Sequence, residues 1–174
     1  MSGVADPDWV NIARDLIGVR EIKGPQHSSE ILKLWADAGL QFTDDETAWC
    51  AGYVGGVLAR ARIRPSGSAA ARSYMHWGVD VLLDGREMLP VGAICVFERP
   101  PDPFEGHVAF AVGTTSEGAL MCLGGNQRDS VNIAPFDFDR LIGARWPVER
   151  RADMAMLKRL PTLAASQRLS TNEA

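Results

Sequence analysis

The sequence predicts an α+β domain in which N-terminal helices pack on a small antiparallel β-sheet. Two observations carry this. Through residue 77, apolar residues recur at the three-to-four spacing of amphipathic helices. After Pro90 they come instead as short, β-rich runs cut by Gly, Pro and Asp turns. Helices first and strands later is an α+β order.

The first helix is predicted over residues 6–18, with Asp6 as cap, Pro7 in the first turn and Gly18 at the end. Trp9, Ile12, Ala13, Leu16 and Ile17 share one face. The second runs from Ser28 to Ala38, with Ile31, Leu34 and Trp35 on its buried stripe and Gly39 as stop. The third runs from Thr47 to Arg62. Gly52, Gly55 and Gly56 each cost it roughly 1 kcal/mol relative to Ala, which predicts close packing against a neighbour. A short fourth helix fits Ser68 to Trp77. Strands are predicted at 93–97, 107–112, 119–123, 131–133 and 142–148.

The chain has 174 residues, 46% of them hydrophobic and 23% charged, a balance that excludes a disordered chain or a coiled-coil rod. A formal net charge of −4 with no basic run predicts no nucleic-acid partner. No apolar stretch approaches the ~20 residues of a membrane span, so no integral membrane segment is expected. The N-terminus shows no standard signal peptide, so synthesis in the cytoplasm is expected, and export by another route. A boundary is expected after Val148. Residues 149–174 carry five Lys/Arg against three Asp/Glu and read as a C-terminal tail, partly helical or disordered, dispensable for chemistry. The sharper reading of that tail is a docking segment for a phage or export-machinery partner, or for an acidic envelope.

Three cysteines without a Cys-x-x-Cys pair argue against a disulfide scaffold or a thiolate zinc site. Cys95 and Cys122 lie in apolar strands and read as packing. Cys50 differs. With Thr47 as cap it lies in the first helical turn, where N–H groups and the positive dipole end stabilise a thiolate. A thiol nucleophile also needs a base. Of His27, His76 and His107, the last opens a strand directly after Gly106, a rigid position that a substrate can approach. Gly124-Gly125-Asn126-Gln127 ends the following strand, where an amide side chain can orient an imidazole on its neighbour.

The segments DDETAWCAGYV, PVGAICVF, EGHVAF and CLGGNQ together resemble the CHAP and NlpC-type papain-like cysteine amidohydrolases, in particular small phage- and prophage-encoded members. The resemblance covers roughly residues 9 to 148. It implies a papain-like α+β domain over 1–148 that hydrolyses amide bonds in bacterial cell-wall peptides, with Cys50 as nucleophile, His107 as base and Asn126 as orienting residue. One departure is Ala93 after Gly92, where many CHAP members carry Asp.

The mechanism this implies is acyl transfer without metal or organic cofactor. The Cys50 N–H is a natural oxyanion donor. The partner is the peptide stem of peptidoglycan, and the site of action is the cell wall or periplasm. Trp49 and Tyr53 are candidates for a substrate groove or for core, and Gln127 is a further candidate for substrate binding. Glu21 is expected to line the groove or to pair with Arg20 or Arg72. Asp44, Asp45 and Glu46 read as a solvated acidic loop favouring the helix start. The competing readings are a papain-like amidase or toxin acting on a non-wall substrate, a non-catalytic wall-binding module, and a wall-associated phage tail component.

Overall fold

The computed structural model describes residues 4–82 and 89–164. Three α-helices open the chain: α1 (Asp8–Asp15), α2 (Ser29–Asp37) and α3 (Cys50–Arg60). A 3-10 turn, Ala71–His76, stands where an α-helix from Ser68 is predicted. Six strands follow: β1 (Val79–Asp80), β2 (Ile94–Arg99), β3 (Asp102–Thr114), β4 (Leu120–Gly124), β5 (Asn132–Phe136) and β6 (Leu141–Trp146). They form one antiparallel sheet in the order β1-β6-β2-β3-β4-β5. The fold is therefore α+β, with helices packed on an antiparallel sheet. No helix among the described residues is long and apolar enough to cross a membrane.

The helix ends differ from the prediction for local electrostatic reasons. Asp6 does not cap α1. Its carboxylate binds Arg14 at 3.2 Å and Lys158 at 2.6 Å, and Pro7 stands at the cap position. Two cations outweigh one backbone N–H as partners for a carboxylate. α3 starts at Cys50 rather than Thr47. Asp44 Oδ1 accepts from the N–H groups of Glu46 (3.1 Å) and Thr47 (2.7 Å), which holds 44–47 as an Asx turn and delays the helix.

The glycines of α3 mark close helix packing, as expected. A Cβ on Gly52 would lie 2.6 Å from the Trp35 ring, and one on Gly56 2.7 Å from Leu34. α2 therefore sits directly on the α3 backbone, and Trp35, Leu34 and Ile31 are fully buried there. Alternate residues of β2 and β3 feed two core layers. Val96, Val108 and Phe110 pack with the helices, and Cys95, Phe97 and Ala109 pack with Cys122 and Phe136.

β3 is longer than the predicted 107–112. With β2 it forms a hairpin arm in which Arg99 pairs with Asp102, and Phe104 on that arm is 87% exposed. The segment after Val148 is not a loose tail in its described part. Residues Val148–Met156 form a kinked 3-10 stretch. Beyond it the chain docks on the sheet: Val91 N donates to Lys158 O, Thr114 N to Pro161 O, and Leu163 N to Thr114 O. Leu163 lies against Gly113 so closely that a Cβ there would meet it at 2.6 Å. Apolar burial and backbone pairing thus outweigh the segment's basic character, and the fold continues through Leu163. The rest of the predicted tail, 165–174, lies outside the described residues.

Candidate active site

Cys50 is the first residue of α3, 5% exposed. First-turn N–H groups lack intrahelical partners, so this position presents donors to whatever sits before it. Burial pushes the Cys50 thiol above its ordinary range. The N–H groups of Val108 and Ala51 on the sulfur, and the Arg99 charge, pull the other way without overcoming it. The helix start therefore does not by itself yield a thiolate, and ionisation needs a base.

His107 precedes Val108 on β3, but successive strand side chains alternate faces, so its ring lies in the layer of Phe97 and Phe136, while Cys50 and Val108 belong to the helix-side layer. His107 is fully buried and stacks on Phe136, with ring centroids 5.2 Å apart and planes 7° from parallel. Its Nε2 lies 3.1 Å from Gln127 Oε1. The amide orientation is fixed by the rest of Gln127. Its Nε2 donates to Asn132 O at 2.8 Å and Asn132 Oδ1 at 2.9 Å, both acceptors. Asn132 is fixed in turn, because its Nδ2 donates to Gln127 O and Ser130 Oγ. Gln127 Oε1 can only accept, so His107 Nε2 carries a proton.

Gln127, not Asn126, is thus the residue on the imidazole. Asn126 adopts a left-handed conformation (φ 57°), is 1% exposed, and its buried Oδ1 has no hydrogen-bond partner among the described residues. The left-handed residue turns the chain, and the next side chain folds back under the sheet end. Gln127 is equally unavailable as a groove residue, being 1% exposed and spent on His107 and Asn132. Trp49 and Tyr53 are corrected in the same way. Both are fully buried, packed against the backbone of Gly125, and the Tyr53 hydroxyl donates to Ala13 O at 2.9 Å.

Glu21 pairs with neither Arg20 nor Arg72. Its Oε1 accepts from Trp49 Nε1 at 2.7 Å. Burial pushes its carboxyl up, the indole opposes this, and the neighbouring Asp129, Asp45 and Glu46 add to the rise. Asp45 is not solvated either. It is fully buried and accepts from Ile22 N (2.9 Å) and Ser28 N (2.7 Å) through Oδ2, with His27 Nδ1 2.9 Å from Oδ1. Cys95 and Cys122 are fully buried, and burial with the adjacent Cys95 thiol pushes Cys122 far up.

A cleft of ≈ 200 Å³ opens on Cys50 between Ala48, the 69–71 segment and the β2–β3 arm. Sequence reading missed Arg99 on that arm, and missed Asn132 and Ser130 behind Gln127. The signal for the latter pair was the polar spacing in Gln127-Arg128-Asp129-Ser130-Val131-Asn132, which suits a side-chain-bonded turn. No protein-family model matches the chain, and neither a curated protein nor a solved structure matches it.

Proposed function

We propose that the chain is a papain-like cysteine hydrolase of the CHAP/NlpC type that cleaves an amide bond in the peptides of the bacterial cell wall, acting at the wall after release or delivery. One observation carries the reading: Cys50 opens α3 at a cleft bordered by Gly106 of β3, and the next residue of that strand is His107, whose Nε2 is held by Gln127. A nucleophile at a helix start, a base on a strand and an amide that sets its tautomer are the parts acyl transfer requires.

In this mechanism the Cys50 thiol proton passes to the base, the role proposed for His107, and the sulfur attacks the amide carbonyl carbon. The C–N bond breaks, with the imidazolium proton leaving on the amine. Water then gives its proton to His107, attacks the thioester, and releases the acid and the thiol. The first-turn N–H groups of α3 are the oxyanion donors on offer. Gln127 takes the orienting role that the sequence motif suggested for Asn126.

Mass spectrometry of purified peptidoglycan digested with the protein tests this reading. New amine and carboxyl termini at one bond are expected, lost in Cys50→Ala. Intact fragments after prolonged digestion with folded protein would remove the wall hydrolase reading.

A further inference from the structure

We propose that the Cys50 cleft is built to receive a carboxylate on Arg99, so that the amides it takes carry a free carboxylate near the scissile bond. The substrate class rests on the hydrolase reading above; the anion site does not.

Among the described residues, Arg99 is the one cation lining the cleft, and it shares that space with Cys50. Its guanidinium is largely unspent. The contact present is Nη1 to Glu105 Oε2 at 3.6 Å, on a Glu105 side chain that is 55% exposed. Charge-assisted bonds run at roughly 2.7–2.9 Å, so this pair is long, and exposed pairs of this kind contribute little. A ligand carboxylate can displace it. Glu105 also shows where such a group sits, since it is the chain's own carboxylate on the same fork. The backbone beneath it is fixed separately, by Arg72 Nε donating to Glu105 O at 2.8 Å.

The rest of the cleft fits a peptide. Ala48 and Gly106 leave a shallow floor against which an extended backbone can lie, and Phe104 stands exposed at the rim as an apolar contact. Arg99 is only 26% exposed and lines the cleft, so its stem is packed, and a planar fork of this kind suits a bidentate carboxylate. The Arg99 charge also pulls on the thiol, which agrees with the two groups facing one another's field. The chain as a whole is acidic, at −4, so any preference for anions here is local to this side chain.

Alkylation of Cys50 by iodoacetate and by iodoacetamide tests the anion site without any turnover. The two probes share a leaving group and differ in charge. Rates at Cys50 are read by peptide mass spectrometry on the full chain. The iodoacetate-to-iodoacetamide ratio should exceed that of a small free thiol. It should fall about tenfold in Arg99→Gln, recover in part in Arg99→Lys, and rise in Glu105→Gln, which removes the competitor. Taking the ratio cancels any change in thiol ionisation, and an unchanged melting temperature shows that each variant is folded.

A ratio in Arg99→Gln within about twofold of the parent, or no change in Glu105→Gln, overturns the site, as does a Cys50 that neither reagent reaches. On paired peptide amides, with the neighbouring carboxylate free or amidated, Arg99→Gln should raise KM for the free form alone. Shifted ratios with no hydrolysis keep the carboxylate site and remove the hydrolase reading. Hydrolysis with unshifted ratios does the reverse.

Discussion

His107 and His27 are each held through one ring nitrogen by a buried side chain, and the two arrangements do different work. His107 is fully buried and given to a neutral amide, whose other half is spent on Asn132. His27 is partly exposed and given to the Asp45 carboxylate, whose second oxygen takes the N–H groups of Ile22 and Ser28. The amide fixes a tautomer without adding a charge, so proton transfer stays with the ring and its neighbours. The carboxylate ties two stretches of backbone together, and the imidazole is the third of its donors. A histidine on a buried acid is therefore the structural member of this pair. The one on an amide precedes Val108 on β3, and it is the member to which we assign the proton transfer.

The widest separation of the two is expected in turnover. His107→Ala should lower kcat on wall fragments by at least roughly 100-fold, the low end of general acid–base contributions. His27→Ala should stay within a few-fold of the parent. An inactive His27→Ala with an active His107→Ala would reverse the comparison. The next effect concerns the partner. Gln127→Ala frees the imidazole to rotate and to change tautomer, and should cost about 10- to 100-fold in kcat, as loss of outer-shell partners does at metal-bound histidines. The pH–rate profile should move with it, because a merely structural loss would lower the rate without shifting the profile.

The sequence made the helical stripes and the β-runs visible because each is a local periodicity. Trp9, Leu34 and Val108 fall inside as their spacing requires. The glycines of α3 were legible as a packing surface for the same reason. What stayed hidden depended on partners distant in the chain. Asp45 looked like loop charge because nothing local shows that residues 22 and 28 cross over it. The Asn126-Gln127 order was misleading because a single left-handed residue decides which of two adjacent amides faces back to the sheet. Arg99 was unremarked because the hairpin arm that brings it to Cys50 extends beyond the apolar run that marks β3.

A third, smaller effect separates the two histidine partners by pH. Burial acts to raise the Asp45 pKa, but the donors from Ser28, Ile22 and His27 outweigh it, and the carboxyl is held below its ordinary value of 3.8. A carboxyl depressed on folding contributes stability that is full above its unfolded pKa and lost as pH falls through its folded one. Unfolding free energy should therefore decline below about pH 4, and that decline should shrink in Asp45→Asn. Asn keeps an acceptor for the two backbone donors, so the cost at neutral pH should be about 1 kcal/mol, against about 3 kcal/mol for Asp45→Ala, which leaves them unpaired. Gln127 carries no charge, and its variants should show no such acid dependence. Urea melts from pH 3 to 7 measure both, and an acid decline of equal size in Asp45→Asn would assign it to other carboxylates.

The smallest expected effect is at Asn126, and it is informative because it is small. Asn126 holds φ at 57°, a region that glycine enters without cost, and its buried Oδ1 has no partner to lose among the described residues. Asn126→Gly should preserve the turn that points Gln127 at His107, remove an unsatisfied buried acceptor, and leave kcat within about threefold of the parent. Asn126→Ala tests the backbone instead. Asn enters this φ more readily than Ala, so the variant should lose up to about 1 kcal/mol of stability while activity in the folded fraction persists. If Asn126→Gly lost 100-fold in kcat with an unchanged melting temperature, Asn126 would be acting on the imidazole or on substrate, and the role given to Gln127 would fail.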